Sequence, residues 1–157
     1  MLISTSQMSR VHSLQNIELG PNINGKLLER VSNSKLLGVH LNENLKWDEH
    51  VNELSISCDG VLRTLRKLKN FTNFKLRKQL AETLILTELD DCDIIFNPLP
   101  EYLVKRLQRV QHAAAGFVIS KYVRETKDLV KIGWLPVKER RQWNLLKATH
   151  QAIYSDK

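Results

Sequence analysis

Three aspartates, Asp90, Asp91 and Asp93, are the densest set of residues in this sequence that could do chemistry. Paired carboxylates of this kind hold two divalent ions in phosphoryl-transfer sites, but the ligands must converge from separate elements. Three aspartates inside four consecutive positions at one helix end cannot all converge. They read instead as a helix-terminal cluster, partly exposed and partly paired with basic helices. The histidines His12, His40, His50, His112 and His150 are scattered, and Cys58 and Cys92 stand far apart. Neither set has the spacing of a zinc site, which needs four compatible ligands. Nucleophile elbows, phosphate-cradling glycine loops and dinucleotide fingerprints are absent from the sequence. No catalytic and no metal-binding residue is therefore assigned.

The remaining chemistry is charge. The net charge is +7 over 157 residues, and it is uneven. Residues 1–60 hold 5 Lys/Arg and 7 Asp/Glu, whereas residues 61–157 hold 19 and 10. Between Gly60 and Ala81 there are seven basic residues and no acidic one. Solvated faces usually mix signs, so a one-sign stretch points to a polyanion. Arg63, Arg66 and Lys67 lie at i, i+3 and i+4 and form one helical patch. Lys105 and Arg109 form a second, on another helix.

These residues need elements to position them. The first 45 residues read as short strands and turns: Leu2–Thr5, Asn16–Leu19, and a hairpin at Asn24-Gly25, the strongest two-residue turn signal. The strand-like Leu2–Thr5 directly after Met1 reads as the middle of a fold. Ser34–Leu41 reads as one strand with Gly38 inside it. After Trp47 the period changes to 3.6. Val51, Leu54, Cys58, Val61, Leu65 and Leu68 are spaced 3, 4, 3, 4 and 3 apart. That predicts a helix of about six turns, roughly 33 Å long, from Asp48 to Lys69. Asn70–Asn73 reads as a turn. A second helix, Phe74–Leu86, presents Leu76, Leu80 and Leu84. Asn97-Pro98-Leu99-Pro100 breaks the chain before a third, about Glu101–Ser120, with Leu103, Leu107, Val110, Ala114 and Phe117 inward and Lys105, Arg109 and His112 outward. Shorter and longer helices follow near Glu125–Ile132 and Val137–Tyr154. The expected fold is mainly α with a small β-hairpin region, divided into residues 1–46 and 47–157. Both cysteines sit in apolar patterns and read as buried free thiols of a reducing compartment. Trp47, Trp134 and Trp143 read as core lids rather than base-stacking platforms. No apolar run approaches the roughly 20 residues that span a membrane, and there is no signal peptide. An intracellular location, cytoplasmic or nuclear, is expected.

Three segments then carry a resemblance. KLLGVHLNENLKWDEHV at Lys35–Val51 resembles a stretch of the reverse transcriptases of non-LTR (LINE-type, jockey-like) retrotransposons: a lysine, an apolar pair, Gly-Val, a strand, then a Trp-x-x-His step opening a long helix. LPEYLVKRLQRVQHAAAGFV at Leu99–Val118 and GWLPVKERRQWNLLKATHQAIY at Gly133–Tyr154 are similar to later stretches of the same proteins, in the same order. The resemblance implies the end of a palm, followed by helices like a thumb. It implies that Leu37, Gly38 and Val39 belong to a primer-grip-like hairpin. The family's palm aspartates lie upstream and have no counterpart in this sequence, and Asp91 stands where the family has an aromatic. This chain alone would thus catalyse no nucleotide transfer and hold no cofactor, magnesium being expected only of the complete enzyme. The implied partners are an RNA–DNA or DNA duplex, gripped by its phosphates, and the palm and fingers of the rest of the enzyme. The rival reading from the residues is a helical protein-interaction module whose basic face meets an acidic protein.

Overall fold

The computed structural model describes residues 21–27 and 31–154. The expected strands at Leu2–Thr5 and Asn16–Leu19 lie outside them. The chain forms two compact units, residues 1–50 and 51–157, joined within one helix.

The first unit contains two antiparallel hairpins. Strands β1 (Asn22–Ile23) and β2 (Lys26–Leu27) are joined by Asn24 and Gly25, at φ 52° and 81°. Two successive left-handed residues make the turn whose twist matches the strands, and Asn-Gly is its preferred pair. Strands β3 (Asn33–Leu36) and β4 (Val39–Asn42) form the second hairpin, with Leu36 opposite Val39. The expectation of one strand over Ser34–Leu41 is therefore corrected: Leu37 (φ 47°) and Gly38 (φ 88°) are the turn, not a bulge within a strand. The open end is closed by side chains. Asn42 Nδ2 donates to Asn33 Oδ1 at 2.7 Å, and Asn42 Oδ1 accepts from the backbone N–H of Asn44 at 2.8 Å.

The second unit is helical. Helix α1 spans Asp48–Lys67 and is followed by a single 3₁₀ turn, Lys69–Phe71. Its buried row is Val51, Leu54, Cys58, Leu62 and Leu65. Val61 is only half-buried and Leu68, past the helix end, is exposed, so the expected stripe is right in its first half and shifts to Leu62 in its second. Asn73 caps α2 (Phe74–Ala81) by accepting from the Leu76 N–H at 2.9 Å. A π-helical turn, Glu82–Leu86, leads into α3 (Thr87–Asp90). Here the predicted face was wrong. Leu76 and Leu84 are exposed and Leu80 is half-buried, while Ala81, Ile85, Leu86 and Leu89 are buried. The inward row runs one residue later, because Ala81 allows close packing on the next long helix and Arg77, which starts that row, is drawn in by a hydrogen bond to Ser120.

That next helix, α4 (Glu101–Ile119), is the centre of the unit. Leu103, Leu107, Val110, Ala114 and Phe117 are buried as the 3.6 period predicts, and Gln111, Ala115 and Val118 widen the buried surface. Each large apolar side chain removed from water contributes roughly 1.5–3 kcal/mol. Helix α5 (Thr126–Lys131) and helix α6 (Val137–Tyr154) complete it. A glutamine pair fixes the start of α6. Gln108 Oε1 accepts from the Val137 N–H at 2.9 Å, and the fully buried Gln111 donates to the Leu135 carbonyl at 2.8 Å. Gln108 Nε2 in turn donates to Gln111 Oε1 at 2.9 Å, so both amides are satisfied. The architecture is mainly α with small antiparallel hairpins near the N-terminus, as expected. Among the described residues, no helix is long and apolar enough to cross a membrane.

Candidate nucleic-acid interface

The acidic cluster is structural. Asp90 is paired with Arg140 of α6, Asp91 is exposed, and Asp93 is buried and accepts from Asn144 Nδ2 at 2.9 Å. Burial pushes the Asp93 carboxyl up, while the Asn144 hydrogen bond and the Arg141 charge pull it back. Arg141, itself buried, donates through Nη2 to the carbonyls of Asp93 and Phe96 and lies 4.6 Å from the Phe96 ring centroid. The segment after α3 is thereby tied to α6. Among the described residues, no three His, Cys, Asp or Glu side chains come together as a metal-ligand set.

The thiols differ from expectation in one respect. Cys58 is buried, and burial together with Glu88 and Asp59 pushes its thiol up to about 12, so it is unreactive. Cys92 is only half-buried, in a left-handed conformation beside Asp91.

The basic residues are divided by the fold. Arg63, Arg66 and Lys67 are all exposed on α1, and Lys105 and Arg109 are exposed on α4. Of these five, Arg66 and Arg109 meet in one groove of about 790 Å³. Arg63, Lys67 and Lys105 do not line it. Lys105 sits 3.9 Å from Glu101 one turn earlier, an exposed pair of small energetic weight. The groove also receives Lys69 from the turn after α1, and Lys121 and Arg124 from the segment between α4 and α5. Five cationic side chains line it and no acidic one does. Arg66, Lys69, Arg109 and Lys121 form no ion pair among the described residues, and such clustering in a concave wall focuses a positive potential.

Sequence reasoning missed Lys69, Lys121 and Arg124. Lys69 had a signal, because it lies in the acid-free stretch after Gly60. Lys121 and Arg124 had none, because only the return of the chain past the end of α4 brings them near Arg66. That return depends on Gly116. A Cβ there would stand 2.9 Å from the Lys121 carbonyl oxygen, closer than a side-chain carbon can come to backbone. Ser120 ends α4 at φ 59°, and Arg77 Nη1 donates to its hydroxyl at 2.7 Å. His112 is in the groove wall with its Nε2 buried and without a hydrogen-bond partner among the described residues, and burial holds the imidazole below its ordinary range.

The other candidates separate as well. At the β3–β4 tip Leu37 is 90% exposed, whereas the Val39 side chain is buried. Of the three primer-grip-like residues, Leu37 and the backbone of Gly38 are open to a ligand. Trp134 is a core lid as expected, buried with its Nε1 donating to Glu82 Oε1 at 2.8 Å. Trp47 is half-buried. Trp143 is 55% exposed on α6, which corrects the lid reading for that residue.

Compared with protein-family models, curated proteins and solved structures, the chain matches none.

Proposed function

We propose that this chain binds the phosphate backbone of a nucleic-acid duplex through the groove between α1, α4 and the segment after α4. In this reading it is the palm-end, primer-grip-like and thumb-like part of a LINE-type reverse transcriptase, acting inside the cell. One observation carries the binding: five cations line a single groove that has no acidic side chain. Phosphate contacts position a duplex without reading its sequence. The three resembling segments, in family order, supply the enzyme context. The chain by itself transfers no nucleotide, because the aspartates that would do so belong to the upstream palm.

A salt titration of duplex binding tests this. Neutralising Arg66, Lys69 and Arg109 together, each to Gln, is expected to weaken binding. Each lost phosphate contact should flatten the salt slope by about 0.9 for B-form DNA. Unchanged affinity and slope, with the protein still folded, overturn the proposal.

A second reading has its own observation. On α6, Trp143 and Leu146 are exposed one turn apart and Ile153 is exposed two turns further on, and Trp143 and Leu146 line a shallow cavity with Lys147 and His150. An apolar stripe of this kind suits a protein partner. Parallel titrations with heparin, duplex and an acidic peptide separate the two readings. Binding of the acidic peptide without binding of heparin or duplex favours the interaction module.

A further inference from the structure

One wall of the groove is built to hold a ring out in water. The segment after α4 is fixed at three points. Ser120 is held by Arg77, the Lys121 carbonyl lies against Gly116, and Val123 is 5% exposed. Tyr122, between the last two, is 80% exposed. Its ring is nevertheless positioned. The Arg124 guanidinium carbon lies 4.9 Å from the ring centroid, and Arg124 Nε donates to the Tyr122 hydroxyl at 3.0 Å. A guanidinium over one face leaves the other face available, as the exposure of the ring requires.

Arg66, Lys69, Arg109 and Lys121 line the same groove as this ring. A planar aromatic face beside several cations matches what an unpaired strand offers: a base to stack and phosphates to neutralise. An intact duplex offers only the second, because its base faces are buried in the stack. We infer that Tyr122, backed by Arg124, stacks on an unpaired base, so that the groove takes a junction between duplex and single strand. This rests on the groove binding nucleic acid, as proposed above, and names the form of nucleic acid it takes.

The test uses the whole chain and three DNAs: a blunt duplex, the same duplex with a short thymidine overhang, and the same duplex with an abasic overhang of equal length. The overhang is placed at the 3′ end in one series and at the 5′ end in another. The two overhangs carry equal phosphate charge and differ only in their bases. In at least one series the thymidine overhang is expected to bind roughly tenfold more tightly than the abasic one, the scale of base–aromatic stacking. Tyr122→Ala should abolish that difference, read as the ratio of thymidine-overhang to abasic-overhang affinity in the same protein. Tyr122→Phe and Tyr122→Trp should keep it. Equal binding of thymidine and abasic overhangs by the unmodified protein overturns the inference, as does a difference that survives Tyr122→Ala. Salt-dependent binding without base dependence sinks this inference alone. Failure to bind any of the three DNAs sinks the groove reading with it.

Discussion

The Arg140 guanidinium holds the Asp90 carboxylate at two points, Nε to Oδ1 at 2.6 Å and Nη2 to Oδ2 at 2.5 Å. The pair joins the end of α3 to the first turns of α6 and is about one-quarter exposed. Two-point pairs of this geometry are among the stronger ion pairs, though partial exposure screens them. Arg140→Ala and Asp90→Asn are each expected to cost about 1–2 kcal/mol in urea unfolding. The double variant should cost less than the sum of the two, because the second change removes a partner already lost. Strict additivity would show that the pair contributes nothing to the attachment of α6.

At the β3–β4 tip, Leu37 adopts φ 47° with most of its side chain in water. A left-handed conformation costs a non-glycine residue roughly 1–2 kcal/mol, and asparagine tolerates it better. Leu37→Asn is therefore expected to stabilise the hairpin by about 0.5–1 kcal/mol. Hydrogen exchange at the β3 and β4 amides reads this directly. Slower exchange is expected, and faster exchange would mean that the exposed leucine is held by contacts of its own.

How far the sequence could be read depended on whether neighbours or distant residues decide the outcome. Helix α4 was legible because one helix face carries five apolar residues in a 3.6 period, all of them buried. The Asn24-Gly25 turn was legible because those two residue types prefer the conformation they adopt. From the residue pattern alone Leu37-Gly38 read as strand interior, because leucine gives no local sign of accepting a positive φ, whereas the resemblance implied a hairpin there. The inward face of α2 was missed because three leucines in register outweighed a single alanine, and the π turn that follows leaves no mark in a hydrophobic pattern. Arg66 and Arg109 were each singled out, but not their shared groove. Lys121 and Arg124 join it through Gly116 and Ser120, a tertiary arrangement that no spacing along the chain encodes.

His112 is expected to give anion binding in the groove a pH dependence. Burial lowers its folded pKa, so the charged form is penalised in the folded protein. That penalty is absent above the unfolded value of about 6.5 and grows as pH falls below it, so His112 lowers stability in acid. A polyanion in the groove offsets the penalty by favouring the imidazolium. Duplex affinity should rise as pH falls from about 7.5 to about 5.5, and rise less in His112→Gln. Identical pH profiles for the protein and the His112→Gln variant would remove His112 from the interface.

The groove itself is separable from the general basicity of α1 by two variants of equal charge change. Arg66→Glu with Arg109→Glu reverses two residues inside it, and Arg63→Glu with Lys67→Glu reverses two outside it. All four side chains are exposed, so each change should cost folding no more than about 0.5 kcal/mol. Leu65→Asp, at a position 4% exposed, is the control that damages the fold by burying a charge. If the groove binds the backbone, the inside pair weakens duplex affinity more and flattens the salt slope more. The loss should be similar for unrelated duplex sequences, because backbone contacts carry no base information. Equal losses from the two pairs would mean that the whole outer face of α1 attracts nucleic acid by net charge, with no groove geometry involved. No loss from either pair would make both faces solvated surface, and the exposed stripe of α6 would then be the better candidate for contact with a partner.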